Sequence, residues 1–365
     1  MEILPKSLGT RPRLAVEVRA EGVVAARAED AAAVLTAVAR GDLPEGAVAP
    51  GLKAGNIVDK GAVAAAMRKA LDAVAGTGRE RLRDVTVIIP DSAVRVLFVD
   101  FDELPSKVVE ALPIVRFRLK KLLPFDADEA MVSYQVMSHE KNGMKLLAIA
   151  MPKAVLDEYE AVVLAAGYVP GAVLPSTLAA LAGLEEAQSP LLVVNAGTGA
   201  VTTAIVQGER MLLHRSFDLN VDVSAPEIRS VLPLVDRENT AQEWAQQEPL
   251  GPGGWDRFDA EAAMQTSVVE TAIVREAGVS ALSREVSQAV SVAAAYFEDS
   301  LQRPPDQVVV AGTLGADSLA SMMEESGVEG LQVREMVDGG MLAAGATTSR
   351  VPRGWLAGVR GALRN

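Results

Sequence analysis

The sequence predicts an α/β protein arranged as two domains or as one large unit with two lobes. Its 365 residues are 49% hydrophobic and 23% charged, which supplies apolar side chains for more than one core. Strand-like apolar runs alternate with stretches that carry the spacing of a helix. Two strand-rich stretches, Arg13–Arg27 and Leu191–Phe217, lie far apart in the chain, and each begins one half of it.

The charge balance and the residue types exclude several functions. With 35 basic and 48 acidic residues the net charge is −13, which argues against nucleic-acid binding because phosphates are held mainly by lysine and arginine. The absence of cysteine excludes disulfides, thiolate zinc sites and cysteine nucleophiles. His139 and His214 are far apart in sequence, so neither an imidazole-rich metal cluster nor a Ser-His-Asp triad is favoured. No apolar run is long enough to span a bilayer, and a soluble cytoplasmic protein is expected.

The first half begins with a hairpin, a helix and a pair of strands. The hairpin turns at Glu21-Gly22, with apolar runs on both sides. Lys60–Val74 has apolar residues three and four positions apart, which predicts a helix with one buried face. Val85–Pro90 and Val94–Val99 flank a turn at Asp91-Ser92 and are predicted to form a strand pair.

Residues 85–173 are predicted to form a compact α+β module inserted after the opening hairpin. Besides the strand pair, its predicted elements are a helix over Ser106–Leu123, strands over Met131–Ser138 and Met144–Ala150, and a helix over Lys153–Ala166. Pro113 removes a backbone donor, so the first helix is expected to kink or restart there. The two later strands are joined by Asn142-Gly143, which supplies the positive backbone angles of a tight hairpin.

The second half is predicted to contain three antiparallel strands, a long helix and a strand–turn–helix unit. The connections between the three strands that start at Leu191 are too short for a parallel arrangement. The polar stretch Asp222–Phe258 is predicted to be a loop or loosely helical. Ala272–Ser300 carries helical spacing, and Val308–Asp317 is a buried strand that enters a glycine turn and then a helix through Met323.

Two glycine-containing turns, Asn195–Thr203 and Val308–Leu319, are the places where backbone could approach a ligand closely. Glycine has no side chain to block a phosphate or an adenine, and exposed backbone amides at a turn form an anion site. Either turn by itself is also compatible with a tight structural hairpin. The candidate nucleotide-binding residues are Asn195, Gly197, Thr198, Gly199, Thr202, Gly312 and Gly315.

The order of these features resembles the actin-like ATPase superfamily, and more closely its PilM branch from type IV pilus assembly. The resemblance is most specific in the module, where Val115–Met137 reads VRFRLKKLLPFDADEAMVSYQVM. It continues through Leu146–Leu181, with an Ala-Gly-Tyr-Val-Pro bend at residues 166–170. It covers most of the chain except about Asp222–Ala263. The resemblance implies an α/β, actin-like two-lobed ATPase fold with the small α+β module inserted in the first lobe.

Members of this superfamily hold a nucleotide between the lobes, and three departures here imply a degenerate cleft. The first phosphate loop, usually Asp-x-Gly-Ser/Thr, is Glu17-Val18-Arg19-Ala20, without the glycine and the hydroxyl. In the second loop Asn195 replaces the acid, and an amide brings no charge to a magnesium ion. In the adenosine loop Ala311 replaces one glycine. The resemblance therefore implies weak ATP binding or none, magnesium only together with ATP, no separate metal site and no catalytic residue.

The resemblance also implies a binding function and not an enzymatic one. PilM-like proteins are cytoplasmic scaffolds that grip the N-terminal tail of PilN, a bitopic inner-membrane protein, in a groove beside the module. This implies a location at the inner face of the inner membrane, a PilN-like partner, and links to pilus platform and motor proteins, with self-association left open. The groove residues cannot be assigned from one sequence.

Three relatives with the same fold are alternatives. A sugar or acetate kinase, or another active ATPase, would need the Asp-x-Gly-Thr hairpin and a carboxylate base, and Glu17 is the only acid in that hairpin. An FtsA-like cell-division protein would be tethered to the membrane by a C-terminal amphipathic helix. A type II secretion platform protein would continue into a transmembrane helix, and no such helix is expected here.

The implied domain boundaries are 1–84 and 174–190 for the first lobe, 85–173 for the module, 191–349 for the second lobe and 350–365 for a basic tail.

The C-terminal segment is relevant to the FtsA-like alternative. Arg350–Asn365 has four arginines and no acid, and its apolar residues have near-helical spacing. A frayed tail is favoured because three glycines weaken a helix, by about 1 kcal/mol each. An interfacial membrane helix is the alternative.

Overall fold

The computed structural model describes residues 12–76, 82–140, 143–184, 189–208, 210–219, 283–325, 331–346 and 351–364. Residues up to 219 and from 285 onward belong to one unit, and residues 220–284, of which only 283 and 284 are described, belong to a second. The predicted loop Asp222–Phe258 and the first part of the predicted helix Ala272–Ser300 lie outside the described residues. Within the described ranges, no helix is long and apolar enough to cross a membrane.

Strands and helices alternate along the chain. The first half contains β1 (Leu14–Arg19), β2 (Gly22–Ala28), β3 (Leu35–Asp42), α1 (Lys60–Val74), β4 (Asp84–Ile89), β5 (Arg95–Phe101), α2 (Val108–Leu119), β6 (Ala130–Glu140), β7 (Gly143–Pro152), α3 (Lys153–Ala165), β8 (Val169–Pro175) and α4 (Ser176–Ala182). The second half contains β9 (Leu191–Ala196), β10 (Ala200–Gln207), β11 (Arg210–Asp218), α5 over residues 283–301, β12 (Gln307–Gly312), α6 (Ala316–Glu325), β13 (Gln332–Glu335) and α7 (Leu356–Leu363).

Two five-stranded sheets with the same strand plan form the two lobes. The first has the order β3-β2-β1-β4-β8 and the second has the order β11-β10-β9-β12-β13. In each sheet three strands joined by short turns are antiparallel, and two more strands add in parallel, as in the pairing of Val16 with Val87 and of Val309 with Val193. The predicted two-lobed α/β fold is therefore confirmed.

The predicted strand pair at the start of the module is wrong, although both of its strands exist. β4 joins the first-lobe sheet, where it lies between β1 and β8, and β5 pairs with β7 in a separate sheet. β4 is buried in every residue after Asp84, so its continuous apolar sequence belongs to the centre of a parallel sheet. The segment 85–173 thus contributes to two sheets, and its domain boundaries stay a prediction.

The remaining part of the module is an antiparallel sheet of three strands, ordered β5-β7-β6, with α2 on one face. Val115 and Leu119 of α2 are fully buried in one cluster with Leu146 of β7. α2 continues through Pro113, so the predicted restart does not occur. β6 and β7 form the predicted hairpin.

A shared apolar core joins the two lobes. It combines residues of both sheets, such as Val24 and Val193, with residues of α4 and α7. Side chains alternate along β1, so Leu14 packs in a second core with α1 and α3, whereas Ala15 lies in the shared core. Glu17, two positions after Ala15, therefore points toward the side where the lobes meet.

The C-terminal segment belongs to the shared core, so the predicted frayed tail is wrong. Trp355 is 1% exposed, and the buried Arg360 donates a hydrogen bond to the Gly183 carbonyl oxygen at 2.8 Å. A Cβ on Gly361 would lie 1.8 Å from the carbonyl oxygen of Ala179 in α4. The glycines that weaken this helix in isolation are the residues that let it pack so closely. A helix buried in this way is not available to lie in a membrane interface in this structure.

Candidate functional site

The strand plan brings the two glycine turns and the first hairpin turn to one edge of the lobes. The turns after β1 and β9 occupy equivalent positions in the two sheets. The parallel strands β4, β8 and β12 end at the same edge of their sheets as these turns. The two glycine turns contact each other directly. The backbone N–H groups of Thr313 and Leu314 both donate to the carbonyl oxygen of Ala196, at 2.9 and 3.1 Å.

The predicted nucleotide-binding residues divide into two groups. Four lie around the contact between the turns: Asn195, Gly197, Thr198 and Gly312. Thr202 lies further along β10, where its hydroxyl donates to Ser216 at 3.0 Å. A Cβ on Gly199 would meet no atom within 4 Å, and one on Gly315 would meet only a side-chain oxygen of Glu335.

Gly312 and Gly197 do admit close approach, as predicted, but the approaching groups belong to the protein. Gly312 has a φ of +92°, and a Cβ there would lie 2.3 Å from the Ala196 carbonyl oxygen and 2.7 Å from Asn195 Oδ1. A Cβ on Gly197 would lie 2.8 Å from Oε1 of Glu21. Side chains of this chain therefore already fill the space beside both turns.

A buried ion pair between Glu17 and Arg19 links the two lobes. Arg19 Nε donates to Glu17 Oε1 at 2.7 Å. The side chain of Arg19 is 10% exposed and that of Glu17 is 0% exposed. Arg19 Nη2 also donates to Ser176 Oγ at 2.7 Å and to Asn195 Oδ1 of the second lobe at 2.9 Å. Ser176 in turn donates to Glu17 Oε1 at 2.6 Å. Protein groups of both lobes therefore hold Nε and Nη2 of Arg19.

Asn195 connects this ion pair to a second acid, Asp91. The Asn195 Nδ2 donates to Thr177 Oγ1 at 2.9 Å and to Ser176 Oγ at 3.0 Å. Asp91 Oδ2 accepts from the Thr177 hydroxyl at 2.5 Å, and the Thr177 backbone N–H also donates to this carboxylate. Protein groups therefore hydrogen-bond both the oxygen and the nitrogen of the Asn195 amide.

Burial lowers the pKa of His214 below its ordinary value, although the nearby negative charge of Asp91 acts in the opposite direction.

Glu17 is enclosed by protein on all the sides that the structure describes. Burial raises the pKa of Glu17 above its ordinary value of 4.5, although the Arg19 charge and the Ser176 hydroxyl act in the opposite direction. Its Oε2 has no hydrogen-bond partner among the described residues and faces α7, where a Cβ on Gly358 would lie 2.4 Å away. Among those residues, no group of three or more acidic or histidine side chains is arranged to hold a metal ion.

Glu21 reaches from the first hairpin turn to the second lobe. Its Oε1 accepts hydrogen bonds from the Thr198 backbone N–H at 2.7 Å and from the Thr313 hydroxyl at 2.9 Å. Burial acts to raise the pKa of Glu21, but the Arg19 charge and these hydrogen bonds outweigh it and hold the pKa below its ordinary value of 4.5. An ionised carboxylate therefore lies against both glycine turns.

Four members of this cluster are not among the predicted site residues: Glu21, Asp91, Ser176 and Thr177. Glu21 and Asp91 are predicted only as turn residues, and the two hydroxyl residues carry no motif. Thr177 is 86 positions from Asp91, and Thr198 is 177 positions from Glu21, so no local pattern connects them. A signal for Glu21 and Asp91 is that each acid lies just past the end of a buried strand, β1 and β4 respectively, since such positions line the edge of an α/β sheet where ligands bind.

No protein-family model matches the chain, and a comparison with curated protein sequences gives no match. Solved structures do match. A chain of the PilM–PilN type IV pilus biogenesis complex is 18% identical, with a TM-score of 0.67, and the match covers 96% of this chain and 98% of that one.

Two further solved structures match at lower TM-scores. The ethanolamine utilization protein EutJ from Carboxydothermus hydrogenoformans is 12% identical, with a TM-score of 0.44 and coverage of 99% of this chain and 90% of that one. A Bacteroides thetaiotaomicron protein with an actin-like ATPase fold is 9% identical, with a TM-score of 0.41 and coverage of 91% and 93%. The match to the pilus complex has the highest TM-score of these three and extends along nearly the whole chain. The protein therefore has the two-lobed, actin-like fold in the form found in that complex.

Proposed function

We propose that the protein is a PilM-like scaffold of a type IV pilus inner-membrane platform. It binds the N-terminal segment of a PilN-like membrane protein at the cytoplasmic face of the inner membrane and links this protein to the pilus motor. The observation that carries the proposal is the match to the pilus complex along 96% of the chain. The PilM-like sequence of the module, Val115–Met137, supports the same function independently of the fold.

A groove of about 950 Å³ beside the module is the proposed partner site. It opens between β5, β6 and β7 of the module on one side and the β10–β11 turn and the end of α5 on the other. Its large apolar lining residues are Phe101, Met137, Met144, Met211, Leu212, Tyr296 and Leu301. The volume is within the range of roughly 300 to 1,000 Å³ that ligand-binding clefts have.

The lining of the groove suits a short peptide with apolar anchors and flanking charges. Methionine is unbranched and polarisable, so three methionines can adjust to the shape of a bound side chain. Exposed charged residues of both signs also line the groove, namely Asp102, Glu103, Arg118 and Lys145. Such a lining can bind a peptide that carries charges of both signs.

A calorimetric titration with a peptide of the PilN-like N-terminal tail tests this function. We expect the wild-type protein to bind the peptide equally with and without Mg·ATP. We expect Tyr296→Ala to weaken binding by about tenfold or more, because truncation of an aromatic anchor costs roughly 2 kcal/mol. Val292→Ala is the matched control, since Val292 lies one turn earlier on α5, is 41% exposed and does not line the groove.

The outcomes of this titration separate the function from the site. Absence of binding by the wild-type protein would contradict the scaffold function. Unchanged affinity of Tyr296→Ala would leave the function in place and move the partner to another surface. Binding that requires ATP would show that the nucleotide cleft is active and coupled to the groove, contrary to the proposal.

The proposed scaffold does not hydrolyse ATP. The residues present do not fit a Mg·ATP complex in this arrangement, because Glu17 is enclosed by Arg19, Ser176 and Gly358, and the Asn195 amide is used by protein groups. We expect magnesium-dependent phosphate release by the purified protein to stay at the level of Glu17→Gln. Phosphate release that Glu17→Gln abolishes would favour an active actin-fold ATPase or kinase.

A further inference from the structure

We propose that the anion site between the two glycine turns is occupied by the protein's own Glu21 carboxylate, which ties the lobes together where a phosphate would otherwise bind. Glu21 belongs to the β1–β2 turn of the first lobe. Its Oε1 accepts from the Thr198 N–H at 2.7 Å and from the Thr313 hydroxyl at 2.9 Å, both in the second lobe. Those two turns are already joined through the Ala196 carbonyl oxygen. One carboxylate oxygen thus connects three segments of the chain.

The carboxylate takes the position that an external anion would need. Backbone N–H groups in glycine turns attract anions, and a hydrogen bond from such a group to a carboxylate is charge-assisted. The Thr198 backbone has a single N–H to donate, so it cannot serve Glu21 and a phosphate oxygen well at the same time. Glu21 Oε1 also lies 2.8 Å from the point that a Cβ on Gly197 would occupy, which places it against the glycine backbone.

Arg19 completes the site from the protein side. Its Nη1 lies 3.5 Å from the same Cβ point on Gly197. The rest of the guanidinium is held by Glu17, Ser176 and Asn195, so its position does not depend on Glu21. Removal of the Glu21 carboxylate therefore leaves a fixed cation, a backbone N–H and a hydroxyl around the vacated space. These three donors match the oxygens of inorganic phosphate or pyrophosphate.

Titration with inorganic pyrophosphate tests the proposal on three variants. Glu21→Ala removes the carboxylate, and Glu21→Gln keeps its shape without the charge. Glu29→Ala is the matched control, because Glu29 follows β2 and accepts hydrogen bonds from Arg13 and Arg27 outside the turns. We expect no measurable binding to the wild-type protein or to Glu29→Ala, and saturable binding to Glu21→Ala.

Thermal unfolding gives a second measurement of the same site. We expect the Tm of Glu21→Ala to lie about 1 to 3 °C below that of the wild-type protein, since the unfolding entropy of a chain of 365 residues is large and keeps the shift small. Pyrophosphate should recover part of this loss in Glu21→Ala. Sodium chloride at the same ionic strength should not raise the Tm of Glu21→Ala. Neither salt should raise the wild-type Tm by as much as pyrophosphate raises the Tm of Glu21→Ala.

The inference does not depend on the scaffold function, because peptide binding and pyrophosphate binding are separate measurements. Equal pyrophosphate affinity of the wild-type protein and Glu21→Ala would overturn it, since the site would then be open already. It would also be overturned if neither Glu21→Ala nor Glu21→Gln bound pyrophosphate while keeping the wild-type circular dichroism. If Glu21→Ala does not fold, Glu21→Ser, whose short side chain also vacates the space, decides the comparison.

Discussion

Replacing Gly361 with alanine is expected to destabilise the protein by about 3 kcal/mol, even though alanine favours a helix. The added Cβ would lie 1.8 Å from the Ala179 carbonyl oxygen and 2.8 Å from the Gly183 backbone nitrogen. Both contacts are with backbone, so no flexible side chain can move aside. α4 and α7 would have to separate within the shared core, which loses apolar contacts of both helices.

Urea unfolding measures this effect, with Gly61→Ala in α1 as the matched control. A Cβ on Gly61 would meet only Asp59 Oδ1, at 3.4 Å, so that variant should be unchanged or up to about 1 kcal/mol more stable. A frayed C-terminal tail would make Gly361→Ala behave like Gly61→Ala. Equal effects of the two substitutions would therefore contradict the docked helix.

Replacing Arg19 with methionine is expected to lower the free energy of unfolding by about 3 to 5 kcal/mol at pH 8. The substitution removes the cation from a fully buried carboxylate, Glu17, and such unpaired buried charges are strongly destabilising. It also removes hydrogen bonds to Ser176 and Asn195. The double variant Arg19→Met with Glu17→Gln should recover part of the loss, because it leaves no buried charge.

The loss in Arg19→Met should become smaller as the pH falls from 8 to 6. Burial already raises the pKa of Glu17, and Arg19 is the strongest influence that lowers it, so the variant should raise this pKa further. A carboxyl group whose folded pKa is raised favours folding when protonated, and this contribution is lost as the pH rises through the folded pKa. The deficit in unfolding free energy relative to the wild-type protein therefore grows as the pH rises from the folded pKa of Glu17 in the wild type toward its higher folded pKa in the variant.

Chemical denaturation at pH 6 and pH 8 tests both the size and the sign. Arg13→Met is the control, since Arg13 is 60% exposed in its pair with Glu29 and such a pair contributes only about 0 to 1 kcal/mol. A deficit in Arg19→Met that is equal at both pH values would mean that Glu17 is not the group left unpaired. A deficit no larger than that of Arg13→Met would mean that the ion pair does not stabilise the lobes.

Elements that rest on local periodicity were predicted well. The predicted bounds of α1, Lys60–Val74, are the observed bounds, because the spacing of its apolar residues records one buried face. The three strands from Leu191 and their antiparallel order also agree with the structure. The strands of Val85–Pro90 and Val94–Val99 are predicted at the right places but with the wrong pairing, since β4 pairs with β1 and β8, both remote from it in the chain.

The two-lobed fold, the positions of the glycine turns and the departures at Glu17, Arg19 and Asn195 are all predictable from the order of residues along the chain. The contacts of those residues are visible only in the folded protein. Glu21 became an internal anion because a hydrogen-bond donor 177 positions away faces it. Gly361, a weak helix residue in isolation, became a packing site because the backbone of α4 lies against it. Periodicity records which face of an element is apolar, whereas steric fit and hydrogen bonding depend on distances between residues that are remote in the chain.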